Sequence, residues 1–306
     1  MPGTDRTYRY RVADCIFEVS APDGFDLDRL LPSFGQFGLD NTGSDGDGRP
    51  AILRLTLQTE PLKQPEGCRK VAEDENDMGK VTLSEGGGGY VLEVAYPGAF
   101  EAYVLKSDRK FSECRAGVNP DDPRAGIVLT SMLRIVWSQS VLLHGGISIH
   151  ASAVTADGAG WIFLGRSGTG KSTHASLWLE NVPGAALLND DNPAIRIVDG
   201  QVRVFGTPWS GKTSCYRNES CRLGGIVKLR QAEANAFLPK EDVEAFAAVL
   251  PSCSAVSSDR ELYDSLCGTL TEIVERVPVG ELRCRPDAGA VRICREGLGL
   301  PEAGGH

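Results

Sequence analysis

Residues 165–172 have the sequence Gly-Arg-Ser-Gly-Thr-Gly-Lys-Ser and match the pattern G-x-x-x-x-G-K-[ST] at every fixed position. In such a loop, backbone N–H groups surround phosphate oxygens, the lysine reaches the β- and γ-phosphates, and the last hydroxyl ligates Mg²⁺. The apolar run 161–164 predicts a buried strand before the loop, and 172–179 predicts a helix after it. The sequence therefore predicts binding of a nucleoside triphosphate with Mg²⁺. The predicted nucleotide-binding residues are Gly165, Arg166, Ser167, Gly168, Thr169, Gly170, Lys171, Ser172 and Thr173.

A second stretch, residues 206–213, has the sequence Gly-Thr-Pro-Trp-Ser-Gly-Lys-Thr and satisfies the same pattern. A strand is predicted before it at 201–205, but residues 214–225 lack helical periodicity and end in a glycine pair. No helix N-terminus is therefore expected to face this loop. We interpret it as an active-site loop that carries Lys212, and the alternative is a surface loop with an incidental lysine.

Composition limits the class of protein. The 306 residues are 41% hydrophobic and 24% charged, which is typical of a soluble protein of one or two domains. A net charge of −9 without a Lys/Arg-rich run argues against nucleic acid or membrane partners. Nine scattered cysteines favour reduced thiols, and the N-terminus lacks a signal peptide's apolar core, so we expect a cytoplasmic protein. Polar residues interrupt the apolar region 126–155, which predicts a buried helix and strand.

The chain is expected to have two domains, a β-rich domain at 1–125 and a catalytic domain at 126–306, divided by Asn119-Pro-Asp-Asp-Pro-Arg124. The catalytic domain is predicted to start with a helix at 127–140 and a strand at 147–155. Asp157-Gly158 and Asp199-Gly200 predict hairpin turns. The first hairpin makes the strand before the loop antiparallel to its predecessor, unlike the parallel sheet of common P-loop proteins. The expected fold class is therefore a mixed α/β, α+β-like protein.

Two acids, Asp190 and Asp191, follow a short apolar strand predicted at 185–188. An acid at this place can point at Mg²⁺ held by Ser172, or accept a proton from an attacking hydroxyl. The alternative interpretation is a polar turn that opens a loop. His150 lies in the middle of the predicted strand 147–155, where a lone histidine is usually a core residue bonded to backbone.

Three segments in this order, His150-Ala-Ser-Ala-Val154, the loop 165–172 and Leu188-Asn-Asp-Asp191, resemble the catalytic domain of the HPr kinase/phosphorylase family. That family shares its nucleotide-binding core with ATP-dependent phosphoenolpyruvate carboxykinase, and the resemblance covers about residues 140–230. It implies a mixed-sheet P-loop core of this type behind the β-rich N-terminal region. It also implies roles: Lys171 as the P-loop lysine, Ser172 and Asp191 at the metal, Asp190 as the base, and His150 as their support.

The resemblance implies a Mg-ATP-dependent kinase that transfers the γ-phosphoryl group to a hydroxyl of a peptide or protein Ser/Thr, or of a small molecule. The catalytic residues expected are Asp190, Asp191, His150 and Lys212. The first 125 residues do not resemble the N-terminal domain of HPr kinases, so HPr itself is not the expected acceptor. Two alternatives stay open: a nucleotide-gated binding or regulatory protein without turnover, and a carboxykinase-type enzyme. Oligomeric state and the choice between ATP and GTP also stay open.

Overall fold

The computed structural model describes residues 5–39, 48–76, 79–97 and 101–301. The chain is a mixed α/β protein with two large mixed sheets, and most of its regular elements are strands. It divides into two compact units. The N-terminal unit comprises Met1–His144 with Ala255–Tyr263, and the C-terminal unit comprises Gly145–Ser254 with Asp264–His306.

The N-terminal unit contains one sheet, with strand order β3-β1-β2-β4-β9-β8-β7-β6-β5 within the described residues. The strands are β1 (Arg6–Val12), β2 (Cys15–Ala21), β3 (Gly38–Leu39), β4 (Ala51–Gln58), β5 (Arg69–Asn76), β6 (Gly79–Gly86), β7 (Gly89–Ala95), β8 (Tyr103–Asp108) and β9 (Glu113–Gly117). Alternation decides which face is buried: Leu53, Leu55 and Leu57 of β4 point inward, and Arg54 between them is exposed. β5, whose sequence is mostly charged, forms a strand because it pairs with β6 at the sheet edge.

Among the described residues, the α-helices that accompany this sheet are α1 (Leu27–Leu30) and α2 (Ala125–Ser140). The segment Ala125–His144 is the one helical stretch of the described chain that is long and apolar enough to cross a membrane, and more than half of it is buried inside the protein. α2 packs against β4, β7 and α1, and the Ser140 hydroxyl donates to the Ile52 carbonyl at 2.8 Å. These contacts make α2 a core helix of the N-terminal unit. The units therefore divide after His144, whereas the sequence placed the boundary at residue 125.

The C-terminal unit contains the second sheet, with strand order β10-β14-β15-β16-β12-β11-β13 and β18 beside both β16 and β17. Its strands are β10 (Gly146–Ser148), β11 (Ala151–Ala156), β12 (Ala159–Leu164), β13 (Ala186–Asn189), β14 (Ala194–Val198), β15 (Gln201–Phe205), β16 (Ser220–Gln231), β17 (Ala236–Lys240) and β18 (Val279–Cys284). Its helices are α3 (Lys171–Asn181), α4 (Asp242–Val249), α5 (Arg260–Val274, whose first turn belongs to the N-terminal unit) and α6 (Ala288–Gly297).

Both predicted hairpins of the C-terminal unit are present. β11 and β12 are antiparallel around Asp157 (φ +53°) and Gly158 (φ +71°). β14 and β15 are antiparallel around Asp199 (φ +50°) and Gly200 (φ +75°), and positive φ at both central residues is the geometry of a type I′ turn. β12 is parallel to β16, so the strand before the loop lies in a mixed sheet.

The core of this unit holds the loop's two flanking elements together. Trp178 of α3 packs on Trp161 and Phe163 of β12, with ring centroids 5.8 and 5.4 Å apart. All three side chains are buried. Burial of these large apolar side chains stabilises the packing of α3 on β12. The two ends of the loop between these elements are therefore held at a set distance and orientation.

Candidate functional site

The loop predicted to bind phosphate connects the end of β12 at Leu164 to the start of α3 at Lys171. Gly168 and Gly170 have φ of +79° and +109°, which favour glycine, and the Thr169 N–H donates to the Arg166 carbonyl at 3.0 Å. The first N–H groups of α3 lack partners within the helix, and a helix N-terminus favours an anion. Ser172 and Thr173 are exposed in this first turn, as are Arg166 and Ser167 in the loop. The strand–loop–helix arrangement that the pattern requires is therefore present.

Lys171 is buried, and its ammonium group lies between two acceptors. Nζ is 2.9 Å from the Gly165 carbonyl oxygen and 3.0 Å from His150 Nε2. Burial lowers the pKa of Lys171, and the nearby carboxylates of Asp191 and Asp190 oppose this shift. An ammonium group only donates hydrogen bonds, so Nε2 of His150 is the acceptor in this contact.

His150 connects Lys171 to the acid pair. Because Nε2 accepts, the proton of the neutral ring lies on Nδ1, which is 3.0 Å from Asp191 Oδ1 and donates to it. The prediction that His150 lies mid-strand was wrong, since it occupies the break between β10 and β11. Its N–H donates to the Ser252 carbonyl at 2.8 Å, whereas the next N–H, of Ala151, donates to the Asp191 carbonyl at 3.0 Å. Because of these bonds the chain leaves β10 at Ser148 and enters β11 at Ala151. The His150 side chain between the two strands is 45% exposed.

Asp190 is only 5% exposed, yet a single oxygen of its carboxylate has a hydrogen-bond partner among the described residues. The Ser152 hydroxyl donates to Oδ1 at 2.9 Å, and buried Oδ2 has no hydrogen-bond partner among the residues that the structure describes. A buried polar atom without a partner costs free energy, and a bound group that supplies the partner recovers that cost. A cation or the proton of a bound hydroxyl would satisfy this oxygen.

The second glycine–lysine loop lies against the same two acids. A Cβ placed on Gly211 would be 3.1 Å from the Asp190 carbonyl oxygen and 3.3 Å from Asp191 Cβ. Lys212 is exposed at the tip of this loop, and β16, not a helix, follows it. The structure thus brings Lys171, His150, Asp190 and Asp191 together and places the backbone of the Lys212 loop beside them.

Sequence reasoning missed two residues that hold the acid pair. Ser152 lies two positions after His150, and side chains two positions apart in a strand point to the same face of the sheet. This spacing could have indicated that Ser152 lies near the acid pair. Asn189 is fully buried and accepts hydrogen bonds from the Asp191 and Asn192 N–H groups at 3.0 and 2.8 Å. The amide of Asn192 also contacts Asp191 Oδ2.

The acid pair fits magnesium, although the described residues contain no group of three or more His, Cys, Asp or Glu side chains that could hold a metal ion. Mg²⁺ at nucleotide sites uses one or two carboxylates together with phosphate oxygens and water, so a preformed protein cage is not required. Hard oxygen donors of the kind that this ion prefers are present: Oδ2 of Asp190, which has no partner among the described residues, the Asp191 carboxylate and the Ser172 hydroxyl.

No family model matches the chain, and no curated protein matches it. Among solved structures, it is similar to the HPr(Ser) kinase/phosphatase from Coxiella burnetii, with a TM-score of 0.29 and 13% sequence identity. The match covers 50% of this chain and 92% of that one. This similarity is distant and transfers no residue role.

Proposed function

We propose that this chain is a Mg-ATP-dependent phosphotransferase that passes the γ-phosphoryl group to a hydroxyl. The observation that carries the proposal is the contact chain from Lys171 through His150 to Asp191, next to a buried Asp190 whose Oδ2 has no partner in the described structure. A loop that only sensed nucleotide would need a lysine and a helix N-terminus, but no oriented acid pair beside them.

The proposed division of labour follows from the contacts. The loop glycines and the first N–H groups of α3 hold the phosphates, and Lys171 supplies positive charge to them. Ser172 and Asp191 would hold the magnesium ion, which neutralises charge on the β- and γ-phosphates when bound. His150 donates to Asp191 Oδ1 and so orients that carboxylate.

Asp190 would accept the proton of the acceptor hydroxyl at Oδ2. Ser152 donates to the other oxygen, Oδ1, so Oδ2 has a defined direction before the acceptor arrives. With the proton removed as the hydroxyl oxygen attacks, the bond from the γ-phosphorus to the bridging oxygen breaks and ADP leaves. The acceptor is proposed to be a peptide or protein Ser/Thr, or a small alcohol.

The test is transfer of radiolabelled γ-phosphate by the full chain, with Mg²⁺, into fractionated cell extract and Ser/Thr peptides. We expect a labelled acceptor, and slow ADP release when acceptor is absent. Lys171→Ala should abolish both, whereas Lys240→Ala, which changes a lysine of β17 in the same unit, should change neither. Tight ATP binding without any ADP release would overturn the kinase in favour of a nucleotide-gated binding protein. Nucleotide-dependent consumption of oxaloacetate would instead indicate a carboxykinase.

A further inference from the structure

We propose that Asn189 and Thr207 are positioning residues that hold the second glycine–lysine loop, residues 206–213, at a set distance from the Asp190–Asp191 pair. This loop would then form one wall of the site, and from it Lys212 would stabilise the negative charge of the transferred phosphoryl group. The chemical part of the inference rests on the proposed function, and the geometric part does not.

The side chain of Asn189 joins the acid pair to the loop. Its Oδ1 accepts from the backbone N–H of Asp191 and Asn192, which shapes the turn that carries the acids. Its Nδ2 donates to the carbonyls of Trp209 at 3.0 Å and Thr207 at 3.3 Å, both in the loop. One buried amide therefore bonds to both segments through opposite ends.

Thr207 makes a second connection between the same segments. It is fully buried, and Oγ1 donates to the Asn192 carbonyl at 2.7 Å, directly after the acid pair. The same oxygen accepts from the Trp209 N–H at 3.3 Å within the loop. Because a Cβ on Gly211 would lie only 3.1 Å from the Asp190 carbonyl oxygen, a side chain there would shift the loop and the acids apart by a few tenths of an ångström.

The pattern of burial favours a functional reason for these bonds. The base of the loop, 206–209, is buried, and its tip at 211–213 is exposed. Burying an amide and a hydroxyl is unfavourable unless each is bonded, so an ordinary surface turn has little reason to be anchored by two of them. Lys212 is the one charged residue of residues 206–213, and its sign is opposite to that of the acids. A cation carried beside paired carboxylates suits stabilisation of phosphoryl oxygens during transfer.

The first arm of the test compares Thr207→Val, which removes the hydroxyl at nearly constant shape, with Thr207→Ser, which keeps it. We expect Thr207→Val to lower kcat for phosphoryl transfer by up to about 100-fold, the scale of a small misplacement of a catalytic group, with the Kd for ATP little changed. Thr207→Ser should retain most activity. In a Lys212→Ala background Thr207→Val should cause no further loss, because its effect acts through that lysine. An equal loss in both backgrounds would show a merely structural role and overturn the inference.

The second arm needs no activity. Trypsin cleaves after Lys212, and release of the anchored base of the loop should let this already exposed segment unfold locally into the protease's active site. We expect Thr207→Val to be cut after Lys212 about fivefold faster than wild type, as loss of one ordinary hydrogen bond raises the open population. Cleavage after the exposed Arg285 of the same unit should not change. Unchanged cleavage after Lys212 would overturn the anchoring.

Gly211→Ala provides a second variant if Thr207→Val does not fold, since it adds one methyl group at the exposed tip. It should lower kcat without weakening ATP binding, and wild-type turnover would overturn the proposal. Should the wild-type chain show no ATP turnover, the proposed function fails, and the trypsin arm still decides whether these residues hold the loop.

Discussion

Asp190→Asn separates catalysis from stability at this site. The substitution keeps the shape of the side chain and leaves a carbonyl oxygen to accept from Ser152, whose hydroxyl now donates to Oδ1 at 2.9 Å. It replaces the basic oxygen with an amide that cannot accept a proton. Loss of a positioned general base costs about 10²- to 10⁴-fold in rate, or about 3 to 5 kcal/mol of activation free energy.

The same change should not destabilise the protein. Asp190 Oδ2 is buried without a partner in the part of the chain that the structure describes, so replacing it by the amide nitrogen of asparagine breaks no hydrogen bond. Removing this charge beside Asp191 also relieves a repulsion, although Lys171 loses some favourable attraction. We expect the free energy of unfolding to stay equal or rise by about 1 kcal/mol.

The assays are γ-phosphate transfer under saturating Mg-ATP and chemical denaturation at neutral pH. Asp199→Asn is the matched control, because it makes the same change at an exposed turn whose φ of +50° asparagine adopts readily. Transfer within tenfold of wild type would remove Asp190 as the base. A loss of more than about 2 kcal/mol of stability would show that the buried oxygen has a partner on which the fold depends.

Three further outcomes are expected. Asp191→Asn should raise the Mg²⁺ concentration that half-maximal transfer needs, and an unchanged Mg²⁺ titration would contradict its role at the metal. Lys212→Ala should leave ATP binding within a few-fold and depress transfer strongly, because an interaction made mainly in the transition state affects turnover more than ground-state binding. Burial lowers the pKa of His174 from its ordinary value of 6.5 to about 4. The Trp178 indole N–H donates to Nε2 of His174 at 3.1 Å, so a proton on this nitrogen would break that hydrogen bond. Since the unfolded chain binds this proton below about pH 6.5, wild type should lose about 3 kcal/mol more stability than His174→Gln between pH 6.5 and pH 4, and equal losses would refute this.

Local patterns were sufficient wherever neighbouring residues decide the structure. The loop 165–172 with its strand and helix, and the turns at Asp157-Gly158 and Asp199-Gly200, follow from glycine's access to positive φ and from periodicity. Local capping likewise decides where the final helix, Ala288–Gly297, begins, because Asp287 accepts from the Ala290 N–H at 3.0 Å.

The charged strand β5 and the short strand β17 were missed, since each depends on a partner strand distant in sequence rather than on its own alternation. The same reason explains His150. Its sequence neighbours are apolar and predict one continuous strand, but hydrogen bonds to Pro193, Ser252 and Asp191 from the backbone of residues 149–151 break that strand.

The sequence by itself therefore determined the mixed sheet around the first loop and the residue types available for chemistry there. Only the tertiary structure decided that Lys171, His150 and Asp191 form one chain of contacts, that Asp190 keeps a buried oxygen without a partner in the described residues, and that Asn189 binds the second loop to the acids. These contacts join residues that lie far apart in the chain. Their formation depends on how strands pair and pack, which local propensity does not encode.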